Sequence, residues 1–412
     1  MARIVLTTFG SHGDLNPFLA IGLGLKRRGH DAVLAAAEGY RADAERLGLG
    51  FAPVRPDLDK SDLETFRRAL DPKRGSEVVV RELMMPKVRE SYEDLDKATA
   101  GCDLLVTHVL TYAGPVLAQK KGLKWLSTSL QPLAFFSSYD PPVVPPAPWL
   151  SVLRPLGPGF HRLMLGAMKR VSYPWGDEVR ALRRSLGMDD GLDPIFEGQY
   201  SPHGTLALYS SLFGPAQPDW PAGVVHCGFP FHDEDLGGKG LDPELVGFLN
   251  EGPAPVAFTL GSAAVMIAGD FYERAAEFTK ALGVRAVLLA GEAAVSLPRS
   301  KSVFPAASAP YHTLFPRCAA IVHSGGIGTT GQALRSGVPQ LVVPVAHDQF
   351  DNAARVARLG CGLWSSRQRL SSDLARLLAD RLAHHRAAAV GKAVRTENAV
   401  KTACDAIERA LT

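Results

Sequence analysis

Long apolar runs are missing from this chain. No stretch reaches the length and purity of a bilayer-crossing helix, which needs about 20 residues, and Ile4–Phe9 is too short to serve as a secretory leader. Cysteine is scarce. The five present (Cys102, Cys227, Cys318, Cys361, Cys404) are odd in number, scattered and without a C-x-x-C pair, which argues against a disulfide framework and a structural zinc and fits a reducing compartment. An excess of charge of one sign is also missing. With 45 Lys and Arg against 42 Asp and Glu the net charge is +3, too mild for nucleic acid to be the main partner. These absences lead to the expectation of a soluble, cytoplasmic protein.

What is present is a pattern of strands alternating with helices along 412 residues, 46% of them hydrophobic. That length suggests two or three domains at roughly 150 residues each. Ala2–Thr8 reads as a buried strand and Pro17–Arg28 as a helix, with Asn16 and Pro17 as its N-cap and first residue and Gly29 closing it. Strands follow at Ala32–Ala36, Phe51–Val54, Leu104–Thr107 and Trp125–Thr128, with helices at Arg41–Leu47, Leu63–Leu70, Val78–Ala98 and Ala113–Lys120. Thr205–Tyr209 closes this half, and Val224–Cys227 is a short strand before a linker through Asp233-Glu234-Asp235. The alternation resumes with strand Val256–Leu260, helix Phe271–Leu282, strand Arg285–Leu289 and a short element near Val303–Pro305. The fold class expected is α/β, with two doubly wound parallel sheets.

The most informative stretch is Ala319–Asn352, AAIVHSGGIGTTGQALRSGVPQLVVPVAHDQFDN. It reads as strand, glycine-rich turn (Ser324-Gly325-Gly326-Ile327-Gly328), helix from Thr329 to Ser336, and a second strand over Gln340–Val345. A crossover of this length makes the strands parallel, so His323 and the His347-Asp348-Gln349 cluster emerge at one carboxyl edge, where open α/β sheets bind ligands. The glycines allow close backbone approach and the helix start offers unpaired N–H groups, which together suit a diphosphate. It is not a Walker loop, because no Gly-Lys-Ser/Thr follows, and it lacks the Gly-x-Gly-x-x-Gly order of a dinucleotide site.

HSGGIGTTGQALRSGVPQLVVPVAHDQFDNA resembles the donor-site signature of family 1 nucleotide-sugar glycosyltransferases, in the bacterial branch that includes rhamnosyl-, sterol- and glycopeptide-antibiotic-modifying enzymes. TTFGSHGDLNPFLAIGLGLKRRGH resembles that family's opening, so the likeness spans essentially the whole chain. It implies a GT-B fold of two facing Rossmann-like domains with the active site in the cleft between them. The expected division is an acceptor-binding domain over 1–218, a linker over 219–240, a nucleotide-sugar domain over 241–389, and a final helix over 390–412, read as Val390–Leu411, crossing back to the first domain. The implied reaction moves a hexose from a UDP- or dTDP-sugar to a hydroxyl of an apolar small molecule (phenolic, macrolide, sterol or hydroxylated lipid), with inversion.

The resemblance also assigns roles. Asp14 stands where plant relatives carry a catalytic His and is the expected base. Asn16 being the apparent cap, Asp14 is not needed for capping. His12 is a rival base, and His108, which follows the strand Leu104–Thr107, is an expected partner for Asp14. Gly261 and Ser262, with Gly325, Gly326, Gly328 and Thr329, would face the diphosphate, with His323 donating to an oxyanion. Tyr311 falls in the segment that holds the nucleobase, where plant members stack a Trp and this chain has Ser308. Asp348 and Gln349 would contact the sugar hydroxyls. No Asp-x-Asp pair sits directly behind a strand and the family dispenses with a metal, so neither a divalent ion nor another cofactor is expected.

Two further stretches bear on the acceptor. Ser137–Pro158 carries seven prolines, which preclude regular structure, and its neighbourhood holds Phe135, Phe136, Tyr139 and Trp149 as expected walls of an acceptor pocket. Phe160–Val171 places Phe160, Leu163, Met164, Ala167, Met168 and Val171 on one helical face. Such a stripe is more often core-facing than laid on a membrane surface, although peripheral membrane contact would fit a lipid acceptor. Two other readings share the fold: a sugar-nucleotide epimerase, which would need several acid/base carboxylates, and a non-catalytic accessory protein, which would not need Asp14, His323, Thr329, Asp348 and Gln349.

Overall fold

The structure, a computed structural model, describes residues 1–57, 62–233 and 240–412. It divides into two compact units: Met1–Ala69 with Lys73–Phe231 and Asn398–Thr412, and Leu70–Pro72 with His232–Glu397. Part of the expected 219–240 linker, residues 234–239, lies outside the described residues.

The first unit is built on seven parallel strands: β1 (Arg3–Thr7), β2 (Asp31–Ala36), β3 (Gly50–Pro53), β4 (Leu104–Thr107), β5 (Trp125–Ser129), β6 (Thr205–Ala207) and β7 (Val224–His226). Their order is β3-β2-β1-β4-β5-β6-β7. Because β7 pairs with β6 from Thr205↔Val224 to Ala207↔His226, the first sheet runs beyond residue 218. The second unit holds β8 (Val256–Thr259), β9 (Ala286–Leu289), β10 (Val303–Ala306), β11 (Ala320–His323), β12 (Gln340–Val342) and β13 (Gly362–Trp364), in the order β10-β9-β8-β11-β12-β13. Every pairing in both sheets is parallel.

The apolar runs behind these strands have one cause. Val256 and Phe258 of β8 belong to one buried cluster and Ala257 to another, and Leu288 and Val287 of β9 divide the same way. Alternate side chains thus enter cores on opposite faces of the sheet, which favours apolar residues at successive positions of these strands. Each unit is thus a parallel-sheet α/β domain.

Several elements differ from the sequence expectation. The C-terminal helix is two helices, Arg381–Thr396 and Ala399–Leu411, because Asn398 leaves the helix and caps the second by accepting from Lys401 N–H. The second packs on the helix His12–Arg27, with Cys404 and Ile407 fully buried. Within Ser137–Pro158, Pro148–Leu156 forms 3-10 turns rather than irregular chain. The helix Gly157–Ser172 turns only His161 and Ser172 fully inward. Its apolar stripe faces solvent, Leu163 being 72% and Val171 77% exposed, so the core-facing expectation is overturned. No described helix is long and apolar enough to cross a membrane.

Candidate functional site

In the first unit the chain runs outward from β1 through β2 to β3, then returns to β4 on the other side of β1. The reversal point between β1 and β4 is where open α/β sheets present their ligand crevice. Thr7 and Thr107 are paired there, so the loop after β1 and His108 after β4 leave the sheet side by side.

That loop is not capped by Asn16. The helix begins at His12, five residues earlier than Pro17, and its N-cap is Ser11. Ser11 Oγ accepts from Gly13 N–H at 3.3 Å, while Asp14 Oδ2 accepts from Ser11 N–H at 2.8 Å and from Ser11 Oγ–H at 3.2 Å. This is a capping box with Asp14 as its acidic member, so the expectation that Asp14 has no capping role is corrected. The Ser-x-x-Asp signal lies in Ser11–Asp14; the Asn-Pro pair beside it masked it. Gly10 (φ +130°) completes the arrangement, since a Cβ there would sit 2.2 Å from Asp14 Oδ2.

One Asp14 oxygen is therefore pinned, and the other, Oδ1, lies 3.9 Å from His108 Nε2, beyond hydrogen-bond reach. Burial pushes the Asp14 carboxyl up to about 6, against the bonds from Ser11 that pull it down. The side chain nevertheless keeps 27% of its surface exposed. His108 is buried edge-on to Phe18 with neither ring nitrogen hydrogen-bonded, and burial pushes its pKa down to about 3. At 3.9 Å, with neither His108 nitrogen hydrogen-bonded, a relay from Asp14 to His108 finds no support in the geometry. His12 is half exposed, edge-on to Tyr40 and 3.9 Å from Asp43.

The four aromatics expected to wall an acceptor pocket are not placed alike. Phe135 is buried in a stack between Trp220 (4.1 Å) and Tyr200 (5.7 Å), which removes it from the expected pocket wall. Phe136, at φ +47°, leans on Phe196. Tyr139 and Trp149 are exposed. The loop base is tied by Asp219, which accepts from Ser137 Oγ–H, Ser138 N–H and Ser138 Oγ–H at 2.6–2.7 Å; the sequence offered no sign of this contact across about 80 residues.

The second unit repeats the reversal, from β8 out to β10 and back to β11. Thr259 and His323 are paired at the strand ends. Gly261, with φ +74°, lies beside Thr329, whose Oγ1 is 3.6 Å from where a Gly261 Cβ would be. Ser324 Oγ–H donates to Leu260 O and ties the two turns together. The helix starts at Ile327, two residues before the expected Thr329. It has Gly326 as an N-cap without a side-chain bond, and ends at Gly337. Its first N–H groups therefore have no side-chain cap and carry the positive end of the helix dipole, with Gly326 and Gly328 in the same turn. Gly325 (φ +91°) has no room for a Cβ, which would meet Val342 Cγ1 at 2.7 Å and Gln349 O at 3.0 Å.

His323 takes a different role from the one expected. Its ring is fully buried, Nδ1 accepts from Gly325 N–H at 3.0 Å, and Nε2–H donates to Gln340 Oε1 at 2.9 Å. Both nitrogens are used, and burial pushes the imidazole down to about 4. It is a neutral group that shapes the glycine turn, not a charged donor to an oxyanion. Tyr311 is stacked on Phe315 at 4.4 Å and exchanges a hydrogen bond with Thr259 Oγ1, so one ring face is already occupied. Ser262 is exposed.

At the β12 edge Gln349 Oε1 accepts from Val345 N–H and Ala346 N–H, and His347 takes φ +54° between these groups. Asp348 is partly exposed, and its Oδ2 accepts from Asn352 Nδ2–H at 2.6 Å. The same Asn352 nitrogen donates to Gly325 O at 2.8 Å. Gln340 and Asn352 lie in the stretch the sequence singled out, yet nothing in its pattern marked either as structural.

Residues 4–101 match the glycosyltransferase family 28 N-terminal domain, and residues 290–411 the erythromycin biosynthesis protein CIII-like C-terminal domain. The chain is 33% identical to O-mycaminosyltylonolide 6-deoxyallosyltransferase of Streptomyces fradiae, over 98% of this chain and 97% of that one. It is 29% identical to vancomycin aglycone glucosyltransferase of Amycolatopsis orientalis, over 99% and 98%. Among solved structures the glycosyltransferase VinC in complex with dTDP superposes with a TM-score of 0.68 at 22% identity, covering 99% of each chain.

Proposed function

The chain belongs to the family 1 GT-B nucleotide-sugar-dependent glycosyltransferases, and on that premise we propose that it moves a hexose from a dTDP- or UDP-sugar to a hydroxyl of an apolar natural product, with inversion and without a metal ion. The observation that carries the chemical step is Asp14: a carboxylate pinned on one oxygen, free on the other, with its pKa raised to about 6. A base of that strength is ionised at neutral pH yet holds a proton far better than an ordinary carboxylate.

In this reading Asp14 takes the acceptor's hydroxyl proton as its oxygen attacks the anomeric carbon. The bond from that carbon to the diphosphate oxygen breaks, and the electron pair leaves with the diphosphate. The charge that develops there is met by the uncapped N-terminus of the helix Ile327–Ser336, beside Gly261 and Thr329. Asp348 and the amide NH₂ of Gln349 would contact the sugar hydroxyls, and Tyr139 and Trp149 would line the approach of an apolar acceptor. The relatives' names, a 6-deoxyallosyltransferase and an aglycone glucosyltransferase, favour a natural-product acceptor, and dTDP in the VinC complex favours testing dTDP-sugars first.

The test is mass spectrometry of a panel of phenols, macrolides, sterols and hydroxylated fatty acids with dTDP-rhamnose and with UDP-glucose. A hexose-bearing product that the wild type forms and Asp14→Asn does not is expected. Equal product from both proteins would move the base elsewhere, with His12 the next residue to change.

A further inference from the structure

We infer that Asn352 is a positioning residue that couples the diphosphate turn to the sugar-contacting carboxylate. The inference rests on the donor-site reading above and extends it to sugar selection. Asn352 is fully buried, and its single amide nitrogen donates to two groups on different loops: Gly325 O in the turn after β11 and Asp348 Oδ2 in the loop after β12. Its amide oxygen has no hydrogen-bond partner and is shut away from solvent. A buried acceptor without a partner is unfavourable, so the side chain is held in place by what its nitrogen does.

The consequences follow from what each contact fixes. Gly325 sits at φ +91° with its N–H held by His323 Nδ1. Its carbonyl is held by Asn352, so both ends of this residue are tied and the N-cap Gly326 is presented in one orientation. Asp348 is the N-cap of the helix Gln349–Leu359 but makes no capping bond through its side chain. The Asn352 bond to Oδ2 is one of the contacts that hold this carboxylate, so it restrains the rotation that decides which way the group is turned. One nitrogen thus fixes the diphosphate cradle and the sugar contact together, so a sugar that mispairs with Asp348 pulls on the group that shapes the cradle.

Asn352→Ala removes both contacts, while Asn352→Ser retains a hydroxyl donor and serves where the alanine variant is too unstable. Calorimetry with dTDP and with UDP, and kcat/KM for two donors differing only at one sugar hydroxyl, give separate readings. Asn352→Ala should weaken nucleoside diphosphate affinity about 10-fold, the effect of a lost hydrogen bond to a well-placed group. It should also shrink the ratio between the two donors by a similar factor. In an Asp348→Ala background the same substitution should leave the donor ratio unchanged and still weaken nucleotide affinity. A fall in melting temperature with both readings unaltered would overturn the inference and leave the glycosyltransferase reading standing. Wild-type protein that binds neither nucleotide would instead remove the donor site itself.

Discussion

Asp14 holds the start of a helix and, in the reaction proposed above, is also the base. Its folded pKa of about 6 lies above the ordinary value of about 3.9, so the folded state holds the proton more tightly than the unfolded chain. The stabilisation from that proton is full below about pH 4 and is lost as pH rises through 6, an effect on the order of 1–3 kcal/mol for a side chain this little exposed. Asp14→Asn retains an acceptor for Ser11 and carries no charge, so it should melt higher than wild type at pH 8 and lose that advantage at pH 4. The same variant should lower kcat by about 10²–10⁴-fold, and wild-type kcat/KM should rise with pH through about 6. A flat pH profile would remove Asp14 as the base. His323 makes a contrasting case. His323→Ala frees Gly325 N–H and should lower both melting temperature and nucleotide affinity. Asn in its place can accept from the N–H two residues on and should recover part of that affinity, seen by calorimetry. Equal affinity in all three proteins would detach His323 from the cradle. Both positions stood out in the sequence, but their contacts did not: a side chain's hydrogen bonds depend on neighbours such as Gln340, which periodicity does not single out.

Elements were more legible than contacts, and the misreadings have physical reasons. The strands after Ala2, Leu104, Val256 and Ala319 could be read because burial on both faces excludes polar residues. The helix Ala399–Leu411 could be read as helical but not as separate, since Glu397-Asn398 carries no Gly or Pro. The stripe Leu163–Val171 was misassigned because period 3.6 records an apolar face and says nothing of whether anything covers it. What seats the last helix is a close approach at Gly24, where a Cβ would stand 2.6 Å from Val400 Cγ1 and 2.8 Å from Cys404 Sγ. Beside it Arg28 bridges Asp405 and Glu408, and His30 reaches Glu408. Gly24→Val should therefore destabilise the first unit by roughly 1–3 kcal/mol through overpacking. Since the residues proposed to bind the donor belong to the second unit, dTDP and UDP affinity should be unchanged in calorimetry at a temperature where both proteins are folded. A variant as stable as wild type would mean that the two helices part without penalty.

At the scale of the whole molecule the sequence alternation announced two doubly wound sheets, and each sheet reverses its strand order at the strand ends carrying the polar loops. The reaction proposed for them makes two demands on the charge that moves. The departing diphosphate needs a positive counterpart, which the uncapped end of the helix Ile327–Ser336 can supply as a fixed dipole. Turnover should then be unchanged by EDTA, and a loss that magnesium or manganese restores would show that the dipole is insufficient. The attacking oxygen needs one base and no covalent relay. Asp14 has one oxygen committed to Ser11, which suits a group that takes a proton and remains in place better than one that becomes bonded to the sugar. Single displacement follows, and displacement from the face opposite the leaving group inverts the anomeric centre. An α-linked UDP-glucose should therefore give a β-glucoside, read from the anomeric proton coupling of the product. An α-glucoside would require a nucleophile that forms a sugar ester and is displaced in turn. Asp348, a carboxylate at the donor edge, would then be the residue to trap.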